Sequence, residues 1–239
     1  MIELPFMYDA FVRLCGGIPL TLQLMALPVI AGAVLATGLA AMRLSNWPPL
    51  DLLARFYIFI FRGTPLLVQL YLIYYGLSQF PDMRQTFLWP FLREAYWCAA
   101  LALALNTAAY SAEIIRGGVL SVPAGQIEAA RAYGMSGFTL MRRIIAPQAL
   151  RQMLPAYSNE VILMVKSTAL ASTITMMEVT GLAAKLISAT YRPVEIFIAA
   201  GAIYLLLNFI VSRMFKLIEY RLSAAQRQPL YRRVAGEHA

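Results

Sequence analysis

Glu160 and Lys166 carry the clearest chemical signal in this sequence, because both stand inside an apolar stretch of membrane-spanning length. An ionisable side chain at membrane depth costs about 2.5–3.5 kcal/mol on insertion scales, so it faces a bundle interior or water rather than lipid. At about 100° per residue, the two are roughly 120° apart around a helix and need not pair with each other. Glu160 shares a face with Met164 and Ser167, and Asn159 shares another with Lys166. Two arrangements are open for Glu160. Its carboxylate either faces a polar path and attracts a cationic group, with Asn159, Ser167 and Thr168 adding hydrogen bonds, or it pairs with an arginine such as Arg62 or Arg116 and holds helices together. Lys166 either meets a carboxylate or snorkels its ammonium toward an interface. Asn106 and Tyr110, at (i, i+4) on another stretch, can complete the polar cluster, and Glu113 and Arg116 at (i, i+3) suit a structural ion pair.

This is the chemistry of binding, not of bond making. No GxxxxGK[ST] phosphate loop occurs, and Lys166-Ser167-Thr168 lacks the glycine four residues before the lysine. The sole histidine, His238, lies in the polar tail, and Cys15 and Cys98 form no CxxC pair, so neither a metal site nor a catalytic centre is expected. No two acids pair within one span.

The elements that position these residues are helices in a bilayer. The 239 residues are 60% hydrophobic and 13% charged, against about 25% charged in a soluble domain. Residues 18–42 contain no ionisable side chain until Arg43, a run too long for a signal-peptide core, and they read as a retained helix. Further spans are expected at about 57–80, 95–117, 153–177 and 196–216, all in one domain. Trp47, Tyr57, Trp89, Tyr96 and Trp97 fall near span ends, where amphipathic rings favour the headgroup zone. Gly32, Ala36 and Ala40 make a small-residue stripe suited to close helix packing.

The formal charge of +8 follows the same plan. The 43–62 connection, the 113–152 stretch and the C-terminal tail hold most of the Lys and Arg, while the opposite side has only Arg13, Arg84, Arg93, Lys185 and Arg192. Positive-inside bias therefore puts the N-terminus outside and the C-terminus in the cytoplasm, and explains the basic charge without a nucleic-acid partner.

Within the longest cytoplasmic connection, about 118–150, Gln126 to Tyr133 forms a short helix, preceded by Pro123 and Gly125 and stopped by Gly134. Ala129 and Ala130 give it a low profile, flanked by Glu128 and Arg131. Glu128-Ala129-Ala130, then Gly134, Ile144 and Pro147, resemble the "EAA" loop of ABC-importer permeases, with Ala146 standing where that family commonly has leucine. The stretches Gly17 to Leu24, Phe61 to Leu70 and Ala109 to Gly118 resemble the polar amino-acid branch of these permeases. Pro155 to Met164 is similar to the subunit type of histidine, lysine/arginine/ornithine and opine importers. Many polar amino-acid permeases carry Lys-Asp-Thr or Lys-Asp-Ser where this chain has Lys166-Ser167-Thr168.

The resemblance implies an all-α type I ABC-importer permease of about five transmembrane helices in the bacterial inner membrane. It implies that Glu128, Ala129, Ala130 and Gly134 couple to an ATPase, and that ATP and Mg are used by that partner, with no cofactor on this chain. The partners implied are two ATP-binding subunits, a sister permease and an external or periplasmic amino-acid-binding protein. The substrate expected is a basic L-amino acid such as arginine, lysine, ornithine or histidine, with Glu160, Asn159, Asn106, Tyr110, Ser167, Thr168 and Lys166 as substrate-site candidates. Alternatives are another polar amino acid or an opine, a homodimeric permease or, in a different class, a membrane scaffold or passive channel.

Overall fold

The computed structural model describes residues 3–222, all helix and short connections with no strand among them. The tail residues Arg227, Arg232, Arg233 and His238 lie outside the described residues. The first described helix is α1 (Leu4–Cys15), which precedes the first expected span. Its Ala10 and Leu14 recur at helical spacing and are buried against α12, while Leu4 and Tyr8 point outward. Gly16 and Gly17 join it to α2 (Ile18–Arg43). At 1.5 Å per residue, the 26 residues of α2 run about 39 Å, enough to cross a hydrocarbon core.

Helix α3 (Pro48–Gly63) and the next segment divide the expected span at 57–80 into two helices. After Gly63 the chain bends by 103° into α4 (Leu66–Tyr71), which continues through a π turn and a 3₁₀ turn to Gln79. Pro65 causes the break: it has no N–H, and it holds Thr64 in extended backbone at φ −115°, ψ 145°. Two single turns, α5 (Pro81–Arg84) and α6 (Trp89–Leu92), lead to α7 (Ala95–Leu120).

Helix α7 is the axis of the bundle. Over half of its apolar window, 56%, is buried in the protein, against 33% for α2 and for α12. Ala99, Ala102, Ala108, Ala109 and Ala112 are fully buried, and such small residues let α2, α3, α4 and α10 approach its backbone. The stripe on α2 meets it there: Gly32 lies against Thr107 and the Ala104 carbonyl, and Ala36 packs in a cluster with Ala108 and Ala112.

The connection that follows carries α8 (Ala124–Ala132), ended by Gly134 at φ +78°, and the single turn α9 (Gly137–Leu140). A π turn leads into α10 (Ala146–Ser167), which begins before the expected boundary at 153 and continues as 3₁₀ helix to Ile174. Thr175 in the left-handed region then breaks the path, and α11 (Val179–Thr190) leaves at 48°. The final helix is α12 (Pro193–Leu222). Among the described residues three helices are long and apolar enough to cross a membrane, or up to five if each bent pair forms one span.

The two ends of the bundle have different chemistry. Near α8, Arg43 bridges Asp51 and Glu113 (3.1 Å), Asp51 also holds Arg55 (2.7 Å), and Glu113 holds Arg116 (2.8 Å). The expected Glu113–Arg116 pair is thus one link in a network joining α2, α3 and α7. At the other end Arg192 makes a two-pronged contact with Glu3 (2.7 and 3.1 Å).

Candidate functional site

A cavity opens at the break between α3 and α4, where α7 and α10 pass. It has a volume of about 500 Å³ and is lined by Arg62, Gly63, Thr64, Pro65, Leu66, Asn106, Tyr110, Glu160, Leu163, Met164 and Ser167. That volume lies within the range of small-molecule sites, roughly 300–1,000 Å³.

The break builds its own support. In a continuous helix the Phe61 carbonyl would accept from the N–H of residue 65, which proline lacks. It accepts instead from the amides of Gln69 (2.9 Å) and Asn106 (3.2 Å). Gln69 also donates to the Thr64 carbonyl (3.1 Å) and hydroxyl (2.8 Å), and its own oxygen accepts from Asn106 (3.0 Å). Both amides are nearly buried, so these bonds fix the kink and face of Asn106 together.

Glu160 projects from α10 and is only 9% exposed. Thr107 of α7 donates to it at 2.9 Å. Neither arginine weighed as its ion-pair partner forms that pair: Arg116 is held by Glu113, and Arg62 stacks over the Tyr110 ring with its guanidinium carbon 5.1 Å from the centroid. Arg62 and Glu160 line the same cavity, so it presents both a guanidinium and a carboxylate. Such a site can hold a solute bearing both charges, with Asn106 and Ser167 as further polar groups in the lining.

Of the residues singled out in the sequence, the structure brings Glu160, Asn106, Tyr110 and Ser167 to this cavity. Asn159 and Lys166 are exposed on other faces of α10, and Thr168 is fully buried, its hydroxyl donating to the Val165 carbonyl at 2.7 Å. Sequence reasoning missed Arg62 as a lining residue, and Thr107 and Gln69 as supports. The sequence offers Arg62 only as a candidate ion-pair partner of Glu160.

The coupling candidates sit together on α8 and its exit. Glu128 and Ala129 are exposed, Ala130 is 6% exposed against the protein, and Gly134 closes the helix as its N–H reaches the Arg131 carbonyl at 2.9 Å. Tyr133 and Phe138 stand out beside it, 87% and 77% exposed.

Helices of this length around a polar cavity, with an exposed short helix at one end, define a multi-pass membrane permease. The chain belongs to the family of binding-protein-dependent transport system inner membrane components, whose pattern matches residues 29–224. It is 70% identical over 217 residues to the octopine transport system permease protein OccM of Rhizobium radiobacter, covering 91% of this chain and 89% of that one. It is 46% identical to the histidine/lysine/arginine/ornithine transport system permease protein HisM of Escherichia coli K12, covering 86% and 87%. Its fold superposes with a TM-score of 0.81, at 38% identity and over 92% and 99% of the two chains, on the crystal structure of an amino acid ABC transporter with histidines. The chain is therefore a non-catalytic inner-membrane permease subunit of an ABC importer, which replaces the scaffold and passive-channel readings.

Proposed function

We propose that the chain forms, with a sister permease, the path for an opine of the octopine type, a solute that carries a guanidinium and carboxylates. The carrying observation is the presence of both Arg62 and Glu160 in the lining of one cavity of about 500 Å³. Glu160 takes the guanidinium, Arg62 takes a carboxylate, and Asn106, Tyr110 and Ser167 orient the solute. Identity of 70% to an octopine permease supports the opine over the basic amino acid expected from the sequence. Arginine, lysine, ornithine or histidine form the second reading, favoured by the likeness to HisM and by Glu160, which suits any of these cations.

In this reading an external binding protein delivers the solute, and ATP hydrolysis in two partner subunits, with Mg, drives the cycle. Their closure moves α8 through Glu128, Ala129 and Ala130, with Gly134 setting where that helix ends. The rigid spans then switch the cavity between the two sides of the membrane. The N-terminus lies outside and the C-terminus in the cytoplasm, as the charge distribution favours.

Competitive uptake of labelled octopine, arginine, histidine and glutamate tests this in cells carrying the wild-type chain or Glu160→Gln. Octopine uptake outcompeting arginine and lost in the variant is the expected result. Arginine preference with the same loss selects the second reading, and equal uptake by both proteins overturns the role of Glu160.

A further inference from the structure

A second cavity, of about 260 Å³, lies between α1 and α11 at the end of the bundle opposite α8. On α11, Leu182, Lys185, Leu186 and Ala189 follow the i, i+3, i+4, i+7 spacing of one helical face, and α1 supplies Arg13 and Leu14. The floor is apolar: Leu14 is 1% exposed, and Leu182 and Leu186 pack against the core cluster that contains it. The rim is cationic. Arg13 and Lys185 are both exposed, and Lys185 has no ion-pair partner among the described residues. Arg13 contacts Asp9 at 2.8 Å, but those side chains are 64% and 54% exposed. A surface pair of that kind is weak, and a guanidinium has five N–H donors, more than one carboxylate uses.

The depth of the groove tells what fills it. The apolar span α2 starts at Ile18, just after Leu14, and α12 starts at Pro193, just after α11. The groove therefore sits where the hydrocarbon core gives way to headgroups. A soluble anion matches only the rim, and a zwitterionic lipid brings its own cation beside the phosphate and so leaves the charge of the rim unbalanced. We propose that this groove binds an anionic phospholipid, with its phosphate held by Arg13 and Lys185 and the first part of an acyl chain lying on Leu14, Leu182 and Leu186. The lipid would pin α1 to α11 at the bilayer boundary.

The test is native mass spectrometry of the full-length protein in neutral detergent, titrated with phosphatidylglycerol or with phosphatidylcholine of the same acyl chains. Phosphatidylglycerol is expected to be retained more strongly, and Arg13→Gln and Lys185→Gln each to weaken it roughly fivefold while leaving phosphatidylcholine unchanged. Ala189→Trp, which fills the groove without altering charge, is expected to lower retention independently of the two charge variants. Equal phosphatidylglycerol retention by wild type and these variants overturns the proposal. Displacement of the lipid by an equal concentration of glycerol 3-phosphate also overturns it, by showing that a soluble anion is the occupant.

Discussion

The carbonyl of Phe61 has lost its helical donor to Pro65, and the amides of Gln69 and Asn106 replace it. Replacing Gln69 by leucine leaves that carbonyl to Asn106 alone and deprives the Thr64 carbonyl and the Asn106 amide of their Gln69 partner, at an expected cost of about 1–3 kcal/mol, read as a lower thermal unfolding midpoint of the purified protein. Glu160→Gln keeps the shape of the carboxylate and the Thr107 contact but removes the charge. It is expected to lower uptake of a guanidinium-bearing solute by roughly tenfold to a hundredfold with insertion unchanged, the worth of a hydrogen bond to a charged group. Glu160, Asn106 and Tyr110 were legible in the sequence because a polar residue within an apolar span needs a reason to be there. Arg62 was harder to read, since only the bend at Thr64 and Pro65 turns it toward Glu160's cavity.

At the scale of elements, contact between helices depends on small residues. A methyl group on Gly118 of α7 would sit 2.9 Å from both the Ala149 carbonyl oxygen and the Met153 Cβ of α10. Gly118→Ala is therefore expected to destabilise by about 1–3 kcal/mol, measured by thermal unfolding, because backbone on both sides must shift. Thr175 makes the opposite prediction. It is β-branched and held at φ 71° between α10 and α11. Thr175→Gly should raise the unfolding midpoint, by the roughly 1–2 kcal/mol that a side chain costs in the left-handed region. Just beyond, Glu178 is fully buried, caps α11 through the Gly181 N–H (2.9 Å) and accepts from Tyr204 of α12 (2.6 Å). Its acid was unremarked in the sequence, because a cap and a distant phenol have no shared periodicity.

Across the whole molecule, charge is sorted by end. The Arg43, Asp51 and Glu113 network ties α2, α3 and α7 together at the end that carries α8. Altering Glu128, exposed on α8, is expected to abolish uptake while the chain still inserts and assembles, checked by transport beside co-purification of the ATPase. At the opposite end the Arg192 guanidinium beside Glu3 holds that carboxyl below the usual glutamate range. A lowered folded-state pKa gives a contribution that is present above the unfolded value and lost as pH falls through the folded one. The tie between α1 and the α11–α12 junction should therefore persist at neutral pH and release only in acid. Protection of the α1 amides, taken relative to the slower intrinsic exchange in acid, should fall on acidification in the wild type, and Glu3→Gln should show the lowered protection already at neutral pH.

The sequence by itself determined the membrane class, the short helix at Gln126 to Tyr133 and the presence of an acid at position 160, because each is written in local composition and spacing. Hydropathy needs only a window of about 20 residues, and a glycine stop acts within one turn. Only the tertiary structure decided that 57–80 is two helices at 103°, that α1 packs on α12, and that Lys166 and Asn159 face away from the cavity that Glu160 enters. Those outcomes rest on which faces meet across residues far apart in the chain. A helical period places side chains around their own axis but does not say which neighbour lies there.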